Sequence, residues 1–116
     1  SAAAYQQLLP QAASLPGGLA RVQLGLARAL LRRGDSAGAF THLRELATRL
    51  DAAGSRSEAF WHAWALMLQT SLDQDSAGAK RGSIRASIKR LEGIDPELGG
   101  EPWKSRIDKV RRAVAE

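Results

Sequence analysis

The sequence contains no cysteine. Disulfide scaffolds, zinc ribbons, iron–sulfur centres and cysteine nucleophiles are therefore excluded, because each of them needs a thiol. No run of about 18 apolar residues could span a membrane, and no signal-peptide pattern stands at the start. Since the chain opens on Ser1 rather than Met, we expect a trimmed protein. Cytoplasmic and periplasmic locations both stay open.

The sequence also lacks the alternating apolar–polar pattern of β-strands, and it is poor in β-branched residues. Alanine occupies 21 positions, leucine 16 and arginine 13, and all three are strong helix formers. With 44% hydrophobic and 25% charged residues, the composition is that of a folded globular domain. At 116 residues we expect one domain, or a piece of a larger protein. The sequence therefore predicts an all-α fold.

Glycine, proline and helix-capping residues divide the chain into about six predicted helices. Gly34 supplies a helix stop, and Asp35 supplies the cap of the next helix. Ser55 and Glu58 fit a capping box, and Pro102 suits the first position of a last helix. The predicted helices cover residues 3–14, 19–33, 36–52, 57–72, 76–91 and 102–115.

A short internal repeat indicates how these helices are organised. The segment Asp35-Ser36-Ala37-Gly38-Ala39 recurs 40 residues later as Asp75-Ser76-Ala77-Gly78-Ala79. Each copy lies between two predicted helices, so we interpret both as the same structural joint, where small side chains let two helices approach closely. A fixed period of this length is typical of helical repeats. We predict repeat units at residues 19–54 and 55–95, followed by a terminal helix at 102–115.

The first of these units resembles the tetratricopeptide repeat family. Its Leu–small pair, Gly-Asp turn and small-then-large second helix are carried by Leu26, Ala27, Leu30, Gly34, Asp35, Ala39, Leu43 and Leu46. The Ile94-Asp95-Pro96 segment ahead of Trp103 is similar to the family's repeat junction and following aromatic residue. The second unit departs from the family pattern at Met67, Gln74 and Ser83, and its spacing exceeds the usual 34 residues.

The resemblance implies an α-solenoid, a right-handed stack of antiparallel helix pairs whose apolar faces join in one core. The first helices of the units, at 19–33, 57–72 and 102–115, would line a concave surface that binds a segment of a partner protein. From these helices we predict five lining residues: Gln23, Arg28, Arg32, Trp61 and Gln69.

The most distinctive local feature is the aromatic segment Phe60-Trp61-His62-Ala63-Trp64. Phe60, Trp64 and Met67 share one helical face, and Trp61 widens that face, which favours a helix buried on both sides. The alternative is that one indole anchors a bound peptide, because tryptophan is enriched at binding hot spots. Trp61 is the better candidate, since Trp64 has the stronger apolar register.

Little in the sequence points to catalysis. His42 and His62 lie on different predicted helices, and Glu58 is the one acidic residue a helical turn from His62. This pair lacks a neighbouring nucleophile and has too few ligands for a metal ion. Gly99-Gly100 lacks the lysine and serine of a phosphate-binding loop. We predict that the chain is not an enzyme and that it needs no cofactor or metal.

Basic residues concentrate in the last third of the chain. Residues 76–116 carry ten basic and six acidic side chains, whereas residues 1–75 carry seven and six. Arg81, Arg85 and Lys89 fall at intervals of four and form a predicted basic surface. Three interpretations stay open for this surface: a solvated face that complements helix dipoles, a site for an acidic peptide, or a nucleic-acid site.

The leading functional hypothesis is a non-catalytic protein-interaction or scaffold module. One alternative is a structural or regulatory spacer of a larger protein, in which the predicted first helix, bearing Tyr5, Leu8 and Leu9, mediates packing or homodimerisation. Nucleic-acid binding through the basic residues between 80 and 112 is the less favoured alternative, because no recognition motif or base-stacking aromatic accompanies them.

Overall fold

The computed structural model describes residues 18–75 and 78–115, which form five α-helices and, within these ranges, no β-strand. The helices are α1 (Gly18–Arg32), α2 (Ser36–Ala52), α3 (Glu58–Asp73), α4 (Arg81–Ile94) and α5 (Trp103–Val114). The prediction of an all-α protein is confirmed. The predicted helix at 3–14, with Tyr5, Leu8 and Leu9, lies outside the described residues. None of the described helices is long and apolar enough to cross a membrane.

The chain divides into two compact units, residues 1–63 and 64–116, and the division falls inside α3. In the first unit α1 packs against α2. Gln23, near the start of α1, is hydrogen-bonded to Arg49, near the end of α2. A contact between the start of one helix and the end of the next means that the pair is antiparallel.

The turn between α1 and α2 forms as its sequence predicts. Gly34 adopts a φ of +82°, the left-handed conformation that glycine reaches without a steric penalty. The Asp35 carboxylate then accepts a hydrogen bond of 2.9 Å from the Gly38 amide and caps α2. The buried side chains of this helix pair are Leu26, Ala27, Ala29, Leu30, Ala39, Leu43, Leu46 and Ala47.

In the second copy of the repeated pentapeptide, Ser76 and Ala77 lie outside the described residues, and the other residues differ in conformation from their counterparts in the first copy. The predicted helix at 76–91 begins only at Arg81 and continues to Ile94. Gly78 has a φ of +75°, which no helical residue adopts, and the Asp75 carboxylate accepts from the Lys80 amide at 2.8 Å. The interpretation of both copies as one structural joint is therefore wrong at the level of local conformation.

The residues downstream of each copy explain this difference. After the first copy, the side chains of Leu43 and Leu46 are buried, and their burial stabilises a helix that begins early. After the second copy come Gly82 and Ser83, which are weak helix formers, and the first buried side chain of α4 is Ile84. A helix that began before Arg81 would add exposed turns without adding buried apolar area.

In the second unit α4 packs against α5. Arg85, the fifth residue of α4, donates a hydrogen bond of 2.6 Å to the carbonyl oxygen of Val114, the last residue of α5. This pair is therefore antiparallel as well. Its buried side chains are Ile84, Ile88, Leu91, Leu98, Trp103, Ile107, Val110 and Val114.

The linker between α4 and α5 is held by Asp95 and by a buried leucine. The Asp95 carboxylate accepts from the amides of Glu97 and Gly99 at 3.0 and 3.1 Å. Leu98 has a φ of +54°, a conformation that costs about 1–2 kcal/mol for a residue with a Cβ. Because its side chain is only 1% exposed, burial worth roughly 1.5–3 kcal/mol offsets this strain.

Candidate interaction surface

Gln23 is one of the predicted lining residues, but it does not face solvent. It is 5% exposed, and its Oε1 accepts a hydrogen bond from Arg49 Nη2. The expectation of an open position is therefore wrong. Gln23 lies three and four residues before the buried Leu26 and Ala27, so it shares their face of α1, where it joins the two helices of the first unit.

The structure also reverses the expectation for the two tryptophans of α3. Trp61 is 3% exposed and packs edge-to-face against Phe60, with ring centroids 5.1 Å apart. Trp64 is half-buried. The alternative in which Trp61 reaches the surface as a peptide anchor is therefore wrong, because the side chain is buried; Trp64 is the more accessible indole.

Gln69, another of the predicted lining residues, is half-buried on α3. Its side-chain amide donates to Asp73 Oδ1 at 2.8 Å, one helical turn later. This bond occupies one donor and leaves the amide oxygen available. A partner-binding role for Gln69 stays a prediction.

Arg28 and Arg32 are exposed as predicted, and Arg21 joins them on the same face of α1. With 3.6 residues per turn, these three residues fall within a sector of about 40° and are spaced by roughly 10 Å and 6 Å along the helix axis. We call Arg21, Arg28 and Arg32 the arginine stripe. Among the described residues, none of the three side chains has a hydrogen-bond or ion-pair partner.

No acidic residue offsets the charge of the arginine stripe along α1. Residues 1–34 contain four arginines and no aspartate or glutamate. The first carboxylate of the chain, Asp35, is occupied in capping α2. Sequence reasoning identified Arg28 and Arg32 but missed Arg21 and this absence of negative charge, because it counted charges over residues 1–75, where acidic residues between 35 and 75 nearly balance the arginines.

The predicted basic surface of the second unit is less available than its sequence indicates. Arg81 and Lys89 are exposed, but Arg85, between them, is half-buried and directs its guanidinium to the end of α5. This bond places a cation against the carbonyl groups of a helix C-terminus, where it is stabilised by the helix dipole. Arg85 therefore acts as an internal link between α4 and α5.

Several other cations of the second unit have internal partners too. Arg111 lies between Glu92, at 3.1 Å, and Asp108, at 2.8 Å, and the Arg106 guanidinium lies over the Trp103 ring. Lys104 pairs with Glu97 at 2.6 Å. The hydrogen bond to Glu97 raises the pKa of Lys104, with the negative charge of the same carboxylate adding to the effect.

An open cleft of about 420 Å³ lies beside these pairs. Its lining residues are Arg85, Ile88, Lys89, Glu92 and Arg111. The positive charges of two of them are already engaged, Arg85 with a carbonyl oxygen and Arg111 with carboxylates. The cleft therefore has a mixed lining, in which Lys89 is the cation that has no internal partner among the described residues.

The two histidines lie apart in sequence, His42 on α2 and His62 on α3, and both are half-buried. The pairing of Glu58 with His62 is not tested and stays a prediction. Within residues 18–75 and 78–115, no cluster of three or more histidine, aspartate or glutamate side chains is arranged to hold a metal ion.

Comparison of the chain with protein-family models, with curated proteins and with solved structures gave no significant match.

Proposed function

We propose that this chain is a non-catalytic protein-interaction module built from antiparallel helix pairs. The observation that carries the proposal is the arginine stripe, three exposed cations aligned on one face of α1 without an internal partner among the described residues. The opposite face of α1 is buried against α2. The helix pair therefore presents three guanidinium groups to solvent along one face of α1.

The arginine stripe carries a cost in like-charge repulsion. Arg28 and Arg32 are four residues apart, a spacing at which like charges destabilise a helix by about 0.2–0.5 kcal/mol. Arg21 lies in the first turn of α1, where the macrodipole disfavours a positive charge, whereas Arg32, in the last turn, is favoured by it. The repulsion between neighbouring guanidinium groups is a local conflict of the kind that functional sites carry, and an acidic partner would relieve it.

The resemblance to the tetratricopeptide repeat family supports the same conclusion. In our proposal the helix pairs belong to a solenoid, and its first helices, α1 among them, line the binding surface. Arg28 and Arg32 are lining residues of that surface. Gln23 lies on the buried face of the same helix, where it bonds Arg49 of α2.

The proposal is tested with a partner identified from the source cell and then purified. The immobilised chain is exposed to extract, the retained proteins are identified by mass spectrometry, and each is titrated in pure form by isothermal titration calorimetry. We expect at least one protein to bind with fixed stoichiometry. If no purified protein binds, and the chain instead self-associates in light scattering, the proposal is wrong and the structural-spacer alternative replaces it.

A further inference from the structure

We propose that the arginine stripe docks an acidic α-helix of a partner protein, whose carboxylates are spaced by seven and four residues. This inference rests on the proposed function and adds the partner's chemistry and geometry. Its starting point is the alignment of Arg21, Arg28 and Arg32 on the solvent face of α1.

The geometry of the stripe matches a second helix. The three arginines span about 16 Å of helix axis, and any facing helix has the same rise per residue. Carboxylates at the same intervals therefore meet all three guanidinium groups at once. A parallel partner needs the order seven then four, and an antiparallel partner needs four then seven. Each guanidinium can donate two parallel hydrogen bonds to a carboxylate, which sets the orientation of the carboxylate in addition to the charge attraction.

The neighbours of the stripe favour a protein over a nucleic acid. Leu24 and Leu31, seven residues apart and both half-buried, run along one side of it, and Gly25 lies on the other. An amphipathic helix can cover the two leucines with apolar side chains while its carboxylates face the arginines. The sequence of α1 has no aromatic side chain on which a base could stack.

A second copy of this chain does not supply the matching helix from its described residues. The two carboxylates of α2, Glu45 and Asp51, are six residues apart, and the two of α3, Glu58 and Asp73, are fifteen apart. α1 has none, and α4 and α5 have one each. None of these helices reproduces the spacing, so the occupant is a different protein.

The test uses defined synthetic peptides of about 20 residues, long enough to be helical in an alanine-rich background. One matched peptide carries Glu at the parallel spacing and another at the antiparallel spacing, both with leucines beside the carboxylates. A shuffled peptide has the same composition but places the carboxylates around the helix. A short DNA duplex is the fourth probe, and binding is measured by fluorescence anisotropy at low and moderate salt.

We expect one matched peptide to bind more tightly than the shuffled peptide. Each change of Arg21, Arg28 or Arg32 to Ala should weaken that binding about two- to fivefold, the range of an exposed ion pair. Arg44→Ala is the matched control, because Arg44 is exposed on α2 and has no internal partner among the described residues; it should leave the affinity unchanged. A triple variant, Arg21→Glu with Arg28→Glu and Arg32→Glu (the triple Glu variant), should instead bind a peptide that carries Lys at the matched positions.

Equal binding of matched and shuffled peptides would overturn the inference, as would tighter binding of the DNA duplex or an equal effect of Arg44→Ala. Failure of the inference and failure of the proposed function give different results. If a purified cellular partner binds the wild-type chain and the triple Glu variant equally, the module function stands and the stripe is not its site. If matched peptides bind but no cellular partner does, the stripe does recognise acidic helices, but the proposed interaction function of the chain is wrong.

Discussion

The arginines of α1 and those of the α4–α5 pair show that a basic sequence segment and an available basic surface are different things. The segment from 76 to 116 holds most of the positive charge, yet Arg85 and Arg111 are bonded within their own unit. α1 has fewer cations, but the three on its outer face lack an internal partner among the described residues. Pairing, rather than charge density, decides which arginines can meet a ligand.

The largest effect on stability should come from Arg85→Ala. This change removes a charged hydrogen bond to the Val114 carbonyl and a cation from the C-terminal end of α5, and we expect a loss of about 1.5–2 kcal/mol. Urea-induced unfolding measures it. Lys89→Ala, one turn later and exposed, is the control and should stay within about 0.5 kcal/mol of wild type. Equal losses would show that Arg85 is not an internal link.

A second substitution tests, inside the first unit, whether an arginine with an internal partner contributes more to stability than one without. Arg49→Ala leaves the buried amide oxygen of Gln23 without its donor, which should cost about 1–2 kcal/mol. Arg44→Ala on the same helix should cost less than about 0.5 kcal/mol. Urea-induced unfolding measures both variants. Equal losses of unfolding free energy for Arg44→Ala and Arg49→Ala would show that pairing with Gln23 does not set Arg49 apart.

Arg111→Ala should have a smaller effect, about 0.2–1 kcal/mol, since its two ion pairs are partly exposed to solvent. The difference from wild type should shrink further as salt is raised, because screening weakens exposed pairs. Unfolding in low and high salt measures both quantities. A loss that does not depend on salt would mean that the Arg111 stem contributes by packing instead.

The smallest effect on stability is expected for the arginine stripe. Replacing Arg21, Arg28 and Arg32 together with Ala should leave the free energy of unfolding within about 0.5 kcal/mol of wild type, or raise it slightly, because like-charge repulsion is relieved. Thermal and urea unfolding test this. A marked destabilisation would assign the stripe to folding rather than to binding.

The regular parts of the fold could be predicted from residue type alone. The turn at Gly34 and the cap at Asp35 depend on contacts within a few residues, and α2 begins and ends where its sequence predicts. The start of α4 could not be predicted in this way. Its local signal is the same pentapeptide, but the buried residues that decide where a helix begins lie further along the chain.

The surface was harder to predict than the helices. Arg28 and Arg32 were identified because an exposed helical face is visible in the spacing of apolar residues. Gln23 was predicted to line the concave surface because it lies on the first helix of the repeat-like unit, although it faces α2 and bonds Arg49. Val114 and Glu92, the partners of Arg85 and Arg111 on another helix, are 29 and 19 residues away, so no local sequence pattern reveals these two contacts.

A coupling measurement between Arg28 and the facing carboxylate of the matched peptide tests whether the arginine stripe recognises an acidic helix by its spacing. Four affinities are compared at low salt: wild type and Arg28→Ala, each with the peptide bearing Glu or Gln at that position. We predict a coupling of about 0.5–1 kcal/mol at this position, and none when the same peptides are tested with Arg44→Ala. Zero coupling at Arg28 would contradict the account.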